Sequence, residues 1–299
     1  MSNMSKAAFV ALVGRPSVGK STLVNLIAGQ KVAIVSGVPQ TTRNAVRGIL
    51  TRPEGQLVFV DTPGRHVSER KFNKKLMDIS DRAIDDSELA LYVLDASRLP
   101  GPEEEAVAVK LKNSQERTVV AINKTDITGA EPDKIRAFLA EALPNLPPSR
   151  RFEISCVKKE GIEALLTCLF EMASEGEALY PSEYYTDQEI SFRISEIIRE
   201  KAMNRLREEL PHSIYVEVAD LELRDEEKRL WVRAFIITER ESQKGMIVGK
   251  GGEKIKAIGQ AARKELNSIF DWKIELDLRV KTGKDWRHKD HILRKIIGS

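Results

Sequence analysis

The sequence predicts an α/β protein, with a doubly wound parallel sheet followed by a smaller α+β domain. Three observations support this. The first 175 or so residues, about the size of one domain, alternate short apolar runs with amphipathic stretches, as parallel sheets covered by helices do. The alternation stops at the polar stretch SEGEALYPSEYYTDQ, and a different order of elements follows it. We therefore predict a first domain over residues 1–178, a linker over 179–186, and a second domain with a basic tail over 187–299.

The strands of the first domain are predicted from short apolar runs that turn residues bound on both sides. Near-continuous apolar character is expected of strands buried on both faces of a sheet. These runs are AAFVALVG, QLVFVDT, LALYVLDA, RTVVAIN and RFEIS. AVRGILTRP alternates less cleanly and is interpreted as an edge strand, while STLVNLIAG and IEALLTCLFEMA are predicted helices.

The second domain is predicted to begin with a long helix, from about residue 187 to about residue 209, that ends before Pro211. Two strand-like runs follow, SIYVEVADLEL and KRLWVRAFIITER. Next come GKGGEKIKAIGQAARKELNSIF, a glycine loop that leads into a helix, and a last strand, WKIELDLRVK. The predicted order is thus helix, strand, strand, helix, strand.

Composition restricts the class of protein. The 299 residues are 41% hydrophobic and 31% charged, which is ordinary for a soluble globular protein of one or two domains. No apolar run approaches the roughly 18 residues of a membrane span, and the N-terminus lacks a signal-peptide cleavage site, so we expect a cytoplasmic protein. Cys156 and Cys168 are too few for a disulfide framework and have no histidine at metal-ligand spacing, which favours packing roles.

The net charge of +3 is unevenly spread along the chain. Residues 241–299 contain 14 Lys/Arg and 8 Asp/Glu, a balance of +6, so the rest of the chain sums to −3. A basic C-terminal region favours an anionic partner, either nucleic acid or a membrane surface. A solvated charged surface is the plain alternative.

A phosphate-binding loop is predicted where GRPSVGKS joins the first strand to the first helix, because it fits G-x-x-x-x-G-K-[ST] in the structural context of that motif. The glycines let the backbone N–H groups face phosphates, and the helix N-terminus favours anions. Lys20 would place its charge against the outer phosphates, and the Ser21 hydroxyl would ligate Mg²⁺. The predicted phosphate-binding residues are Gly14, Arg15, Pro16, Ser17, Val18, Gly19, Lys20 and Ser21.

The sequence DTPG ends the second strand candidate after the phosphate loop, QLVFVDT. Its carboxylate, Asp61, would hold Mg²⁺ through water, and the Gly64 N–H would reach a γ-phosphate. We include Thr62 and Pro63 in the predicted phosphate site.

A threonine in the sequence VPQTTR is predicted to contact Mg²⁺ only while the γ-phosphate is present, which orders the segment. We favour Thr42 over Thr41, and the choice between them stays open. The predicted metal site is Ser21, Thr42 and, through water, Asp61. The residues predicted to act in catalysis are Lys20, Thr42 and Gly64.

A guanine site is predicted from NKTD at the end of RTVVAIN. Asp126 would accept hydrogen bonds from the ring N–H and the exocyclic amine of guanine, while adenine would leave the carboxylate unpaired. Asn123 would tether the loop and Lys124 would lie along the base. Ser155 and Cys156 follow the next strand run and match a further guanine loop, with cysteine in place of the usual alanine.

An RNA site is predicted from GKGG, which fits the G-x-x-G loop that contacts nucleic-acid backbone in KH domains. A lone G-x-x-G carries little weight. Here the order of elements and the basic balance of the region add to it. The predicted RNA-binding residues are Gly249, Lys250, Gly251, Gly252, Lys254 and Lys256.

Over almost its full length the chain resembles the Era family of bacterial GTPases, with a P-loop domain followed by a type II KH domain. The marks of the resemblance are GRPSVGKS, PQTTR, DTPG, NKTD, SEIIREK and VGKGGEKIKAIG. The resemblance implies Mg²⁺-dependent GTP hydrolysis, binding to the 3′ end of 16S ribosomal RNA, and a role in maturation of the small ribosomal subunit. It also implies peripheral association with the inner face of the plasma membrane. DNA is not an expected partner.

Two positions depart from the family pattern. Ser17 stands where the family usually has an asparagine linked to stimulation by monovalent cations, which puts a dependence on potassium in doubt. Arg65 stands where this family usually has an apolar residue and where Ras-like enzymes keep a glutamine. It is interpreted as a surface arginine, and the alternative is an arginine that reaches the transition-state charge.

Three other functions remain as alternatives. An ATPase would lack the guanine-reading carboxylate. An RNA-binding assembly factor would bind the nucleotide and barely turn it over. A membrane-signalling GTPase would use the basic tail KTGKDWRHKDHILRKIIGS, which is short and has no lipidation motif.

Overall fold

A computed structural model describes residues 5–38, 41–64 and 71–297. Its contacts divide the chain into two compact units. The first unit comprises Met1–Ala33 and Thr42–Asp187, and the second comprises Ile34–Thr41 and Gln188–Ser299. The predicted linker over 179–186 therefore lies inside the first unit. A short segment from the N-terminal half groups with the second unit.

The first unit is built on one sheet. Seven strands of the described residues form it: β1 (Lys6–Val13), β2 (Val46–Arg52), β3 (Gly55–Asp61), β4 (Leu89–Asp95), β5 (Thr118–Asn123), β6 (Arg151–Glu153) and β7 (Ser174–Glu175). The order is β2-β3-β1-β4-β5-β6, and β7 pairs with β1. Neighbours from β3 to β6 run parallel, and β2 runs antiparallel to β3 at one edge, which confirms the predicted edge strand.

Helices connect these strands. They are α1 (Lys20–Ala28), α2 (Lys71–Asp86), α3 (Pro102–Leu111), α4 (Pro132–Ala142) and α5 (Ile162–Met172). The two predicted helices are confirmed as α1 and α5. Every residue of β3, β4 and β5 is buried, because the sheet is covered on both faces. This is why these strands are apolar without alternation.

The sheet order brings the C-terminal ends of the central strands together. β1 lies between β3 and β4, and β5 pairs with β4. Leu12 is opposite Asp61, and Asp95 is opposite Asn123. The loops that follow β1, β3, β4 and β5 therefore meet at one edge of the sheet, where ligands of open α/β sheets bind.

The stretch predicted as a linker is held by hydrogen bonds to the edge of the sheet. The Gln56 side chain accepts from the Tyr180 N–H at 2.8 Å and donates to the Tyr180 carbonyl at 2.9 Å. The Ile49 N–H donates to the Tyr185 carbonyl at 2.9 Å. Its polar composition suggested a linker, but its backbone is fixed on β2 and β3.

The second unit places helices on a three-stranded sheet of order β10-β9-β8. Its elements are α6 (Ile190–Met203), β8 (Ile214–Arg224), β9 (Arg229–Thr238), α7 (Glu241–Val248), α8 (Glu253–Ile269), β10 (Lys273–Thr282) and α9 (Asp290–Ile297). β8 and β9 are antiparallel, and β9 and β10 are parallel. Buried Ile198, Ile258 and Val232 belong to the core of this unit.

A fully buried tryptophan closes this unit near its C-terminus. The Trp286 side chain is 0% exposed, and its indole N–H donates to the Ser213 carbonyl at 3.0 Å. Its ring meets the Tyr215 ring edge-on, with the centroids 5.0 Å apart. No helix among the described residues is long and apolar enough to span a membrane.

Two features of the second unit differ from the prediction. The first helix ends at Met203 and does not reach residue 209, because the chain turns there and buries Leu206 in the core. The short helix α7 was not predicted, since Gly245 in its middle lowers helix propensity. The Gln243 side chain stabilises its start by accepting from the backbone N–H groups of Glu239 and Arg240, at 3.1 and 2.9 Å.

Candidate functional site

The loop between β1 and α1 requires glycine at two positions. Gly14 and Gly19 have φ angles of 152° and 105°. A Cβ on Gly14 would lie 2.4 Å from the Val93 carbonyl oxygen, and one on Gly19 would lie 2.4 Å from Asn123 Nδ2. The backbone therefore packs against its neighbours too closely for any side chain at these two positions, as expected of a glycine loop whose N–H groups would face phosphates.

Lys20 lies within this loop. Its Nζ donates to the carbonyls of Gly14 and Arg15, both at 2.9 Å. Burial lowers the pKa of Lys20 to about 8, although the nearby Asp61 carboxylate opposes this shift. A buried ammonium that can exchange these carbonyls for phosphate oxygens suits the role predicted for Lys20.

The predicted metal residues come together in one cluster. Ser21 Oγ donates to Asp61 Oδ2 at 2.6 Å and lies 3.1 Å from Thr42 Oγ1. Thr42 Oγ1 is also 3.5 Å from Asp61 Oδ2. The Thr41 hydroxyl instead donates to the Val38 carbonyl at 2.6 Å. Of the two neighbouring threonines, the structure thus brings Thr42 to the cluster.

This cluster fits Mg²⁺. Asp61 Oδ1 is buried and has no hydrogen-bond partner among the described residues. Burial raises the pKa of Asp61, while Lys20 and the two hydroxyls oppose the rise. A buried carboxylate oxygen without a donor, beside two hydroxyl oxygens, is the oxygen-rich donor set that hard cations take. Ser21, Thr42 and Asp61 would hold the ion.

The residues after Asp61 lie against the phosphate loop. The buried Thr62 hydroxyl donates to the Leu12 carbonyl at 2.6 Å, which fixes the end of β3 on β1. A Cβ on Gly64 would lie 2.5 Å from the Pro16 nitrogen, so only glycine allows this approach. Pro63 between them is buried. Arg65 lies outside the described residues, and both of its interpretations stay predictions.

The residues predicted to read guanine form a second set of contacts at the same edge. Asn123 Nδ2 donates to the Val18 carbonyl at 2.9 Å, and Asn123 Oδ1 accepts from the Cys156 N–H at 3.2 Å. Ser155 Oγ donates to Asp126 Oδ1 at 2.7 Å. Asn123 therefore ties the loop after β5 both to the phosphate loop and to the loop after β6.

The Cys156 thiol packs inside this arrangement. It is buried, and burial raises its pKa to about 12, with Asn123 opposing the rise. A thiol that stays protonated at neutral pH is not a nucleophile. Cys156 therefore fills the position as a small side chain.

A buried ionic network beside these loops was not predicted. Asp95, at the end of β4, pairs with Arg15 at 3.0 Å and with Lys124 at 2.7 Å. Arg15 also pairs with Glu104. The sequence held one signal for this, since Asp95 ends an apolar run just as Asp61 and Asn123 end theirs, and the ends of parallel strands share an edge.

The candidate RNA site lies between α7 and α8. Gly249, Gly251 and Gly252 have φ angles of 76°, 60° and 80°. A Cβ on Gly251 or Gly252 would meet nothing within 4 Å, so this backbone faces open space. Lysines on the loop and on the first turn of α8 are exposed: Lys250, Lys254 and Lys256. Bare backbone flanked by positive charge suits contact with a nucleic-acid backbone.

Family models match both parts of the chain. Residues 9–124 match the 50S ribosome-binding GTPase family, and residues 209–287 match the KH domain. The predicted combination of a P-loop GTPase fold and a KH domain is thereby confirmed.

Relatives match along nearly the whole chain. GTPase Era of Treponema denticola is 48% identical, covering 96% of this chain and 98% of the relative. GTPase Era of Borreliella afzelii is 46% identical, covering 98% and 99%. Both matches extend through the two units.

Two solved structures are similar at 32% identity. One is an Aquifex aeolicus Era variant bound to GDP·AlF4⁻, with a TM-score of 0.91, covering 97% of this chain and 98% of that one. The other is Era in complex with MgGDPNP and nucleotides 1506–1542 of 16S ribosomal RNA, with a TM-score of 0.92, covering 98% of each chain. The chain therefore belongs to the Era family of GTPases and hydrolyses GTP.

Proposed function

We propose that this chain is a GTP-controlled RNA-binding protein that binds the 3′ end of 16S ribosomal RNA and assists maturation of the small ribosomal subunit. The main support is the similarity over 98% of the chain to Era in complex with MgGDPNP and nucleotides 1506–1542 of that RNA. The glycine loop beside exposed lysines gives the same proposal a local basis.

Guanine is the base that the proposed site favours. The Asp126 carboxylate, oriented by Ser155, would accept from the ring N–H and the exocyclic amine of guanine. Adenine presents an acceptor at the ring position and would offer the carboxylate no donor in place of those of guanine. Such a loss discriminates strongly, because the base would desolvate the carboxylate without returning hydrogen bonds to it. This argues against the ATPase alternative.

The proposed hydrolysis site supplies positive charge and backbone donors around the phosphates. Bound Mg²⁺ would neutralise charge on the phosphate oxygens. Lys20 would contact the outer phosphates, and the Gly64 backbone, close against Pro16, would offer its N–H to the γ-phosphate. Thr42 would hold the preceding segment in place while the triphosphate is bound. Position 65 carries arginine and not a water-orienting glutamine, so we propose slow intrinsic turnover.

The proposed RNA contact combines bare backbone with charge. RNA phosphates would approach the open backbone of Gly251 and Gly252, and Lys250 would add positive charge. The excess of +6 over residues 241–299 would supply a long-range attraction. Membrane association and cytoplasmic localisation stay predictions.

RNA binding and turnover test this proposal together. Fluorescence anisotropy would compare a labelled RNA of the sequence 1506–1542 with a scrambled RNA of equal composition, in the presence of Mg²⁺ and a GTP analogue. We expect clear preference for the 16S sequence, and GTPase turnover that rises when small subunits are added. Equal affinity for both RNAs would overturn the ribosomal assignment. A crosslinking map of RNA bound in cells would then identify the true target.

A further inference from the structure

Asp95 occupies the point where the phosphate loop and the guanine loop come together. It ends β4 directly opposite Asn123 and is 3% exposed. Its Oδ2 accepts from Arg15 Nη2 at 3.0 Å and from Lys124 Nζ at 2.7 Å. Its Oδ1 accepts from the Ser97 N–H at 2.9 Å and from the Ser97 hydroxyl at 2.6 Å. Four donors thus fix one buried carboxylate.

The two cations that meet at Asp95 depend on it differently. Arg15 has a second carboxylate, Glu104, which is itself held by the Gly101 N–H at 3.0 Å. Lys124 Nζ donates to the Asp95 carboxylate and, at 2.9 Å, to the Ser17 carbonyl. Without Asp95, Arg15 would still have an anionic partner in Glu104. Among the described residues, the Lys124 ammonium would be left with the neutral Ser17 carbonyl.

Asp95 carries the negative charge that a partner of the Lys124 ammonium requires. Burial by itself raises the pKa of Asp95, but hydrogen bonds from Lys124 and Ser97 outweigh burial and hold the pKa below its ordinary value. Asp95 is thus an anion at neutral pH. An ammonium fixed between this anion and the Ser17 carbonyl leaves the four-carbon stem of Lys124 few rotamers.

We propose that Asp95 is a positioning residue of the guanine site. It holds the Lys124 ammonium so that the side-chain stem is already placed along the base before the nucleotide binds. This inference rests on the proposed guanine-binding role of the loop after β5. Pre-organisation of this kind raises affinity by reducing the ordering cost of binding.

The test measures the affinities of two ligands, GDP and inorganic pyrophosphate, for the full chain with Mg²⁺. Asp95→Asn should raise the Kd of GDP about tenfold, since a charge-assisted hydrogen bond of this kind is lost. Its effect on pyrophosphate should be small, because pyrophosphate has no base. The matched control Glu104→Gln removes the other carboxylate that faces Arg15, and it should leave the Kd of GDP within about twofold of wild type.

A double-mutant cycle shows whether Asp95 acts through Lys124. In a Lys124→Ala background, Asp95→Asn should cause no further loss of GDP affinity. Lys124→Ala alone should weaken GDP binding at least as much as Asp95→Asn. Because Lys124 is partly exposed, that variant still tests the proposal if Asp95→Asn does not fold. Unchanged GDP affinity in Lys124→Ala would overturn the proposal.

Other outcomes separate this inference from the function on which it rests. The inference would be overturned if Asp95→Asn lost equal affinity for GDP and for pyrophosphate. It would also be overturned if Glu104→Gln lost as much GDP affinity as Asp95→Asn. Either result would show that Asp95 acts through Arg15 and the phosphate loop. Equal binding of GDP and ADP by the wild-type protein would instead overturn the guanine site itself.

Discussion

The Arg199 guanidinium donates a 2.5 Å hydrogen bond to the Thr41 carbonyl, and the next residue, Thr42, places its hydroxyl 3.1 Å from Ser21. Arg199 is 2% exposed and also pairs with Glu196 on its own helix. Thr41 is therefore fixed to α6 immediately before the chain enters the metal cluster.

Two further hydrogen bonds join residues 35 and 36 to the last turn of α6 and its C-cap. The Val35 N–H donates to Glu200 Oε1 at 2.9 Å, and the Ser36 hydroxyl donates to Asn204 Oδ1 at 2.8 Å. A residue of the metal cluster is thus the direct chain neighbour of a segment that packs with the second unit.

Replacing Arg199 with leucine should destabilise the second unit. Arg199→Leu leaves the Glu196 carboxylate and the Thr41 carbonyl without this donor, a loss of about 2–3 kcal/mol for hydrogen bonds to charged groups. Urea unfolding followed by circular dichroism measures it. The exposed Arg205→Leu is the matched control and should cost less than about 0.5 kcal/mol. Equal effects of the two would show that the Thr41 contact contributes little.

The two neighbouring threonines should differ in their effect on Mg²⁺ dependence. Thr42→Val removes a hydroxyl of the metal cluster. In the wild type we expect Mg²⁺ to strengthen the binding of a GTP analogue more than that of GDP, and this difference should be smaller in Thr42→Val. Thr41→Val removes a hydroxyl bonded to the Val38 carbonyl and should retain the wild-type response. Titrations of both nucleotides at several Mg²⁺ concentrations measure this. The reverse pattern would move the metal contact to Thr41.

The preferred base should change when the guanine-reading carboxylate becomes an amide. Asp126→Asn offers a donor where guanine also offers donors, so preference should shift from GTP toward xanthosine triphosphate by about tenfold or more. Competition binding measures the shift. Asp133→Asn, on an exposed residue of α4, is the control and should bind like the wild type. An Asp126→Asn protein that still prefers GTP would contradict the assignment.

RNA binding should depend on the open glycine loop. Gly251→Asp adds a negative side chain at a φ of 60° where the backbone faces open space, so RNA affinity should fall by about tenfold or more while GTP affinity is unchanged. Gly29→Asp is matched, with a φ of 66° and open space, but lies at the end of α1. It should bind RNA normally. Normal RNA binding by Gly251→Asp would contradict the RNA contact proposed for this loop.

Local patterns predicted much of the fold and of the site. Strands covered on both faces must be apolar, so β1, β3, β4 and β5 could be read directly from the sequence. The phosphate loop is likewise local, because GRPSVGKS is one continuous motif between β1 and α1.

What the sequence did not show depends on contacts between distant residues. The network at Asp95 needs the order of β1, β4 and β5, which bring Arg15 and Lys124 to the same carboxylate. Residues 34–41 group with the second unit through individual hydrogen bonds, such as that from Arg199 to Thr41, between residues more than 150 positions apart in the sequence. The helix α7 contains a glycine and is stabilised by its cap, not by an apolar stripe.

The burial of Trp286 has an optical consequence. The three tryptophans of the chain, Trp231, Trp272 and Trp286, all follow residue 187. Tryptophan emission, as distinct from tyrosine emission, thus arises from the second unit, and the unit that carries the phosphate loop contributes none of it. Trp286, shielded from solvent, should emit at shorter wavelength than an exposed indole. A GTP-dependent change in emission from the unlabelled protein would therefore report directly that the nucleotide alters the other half.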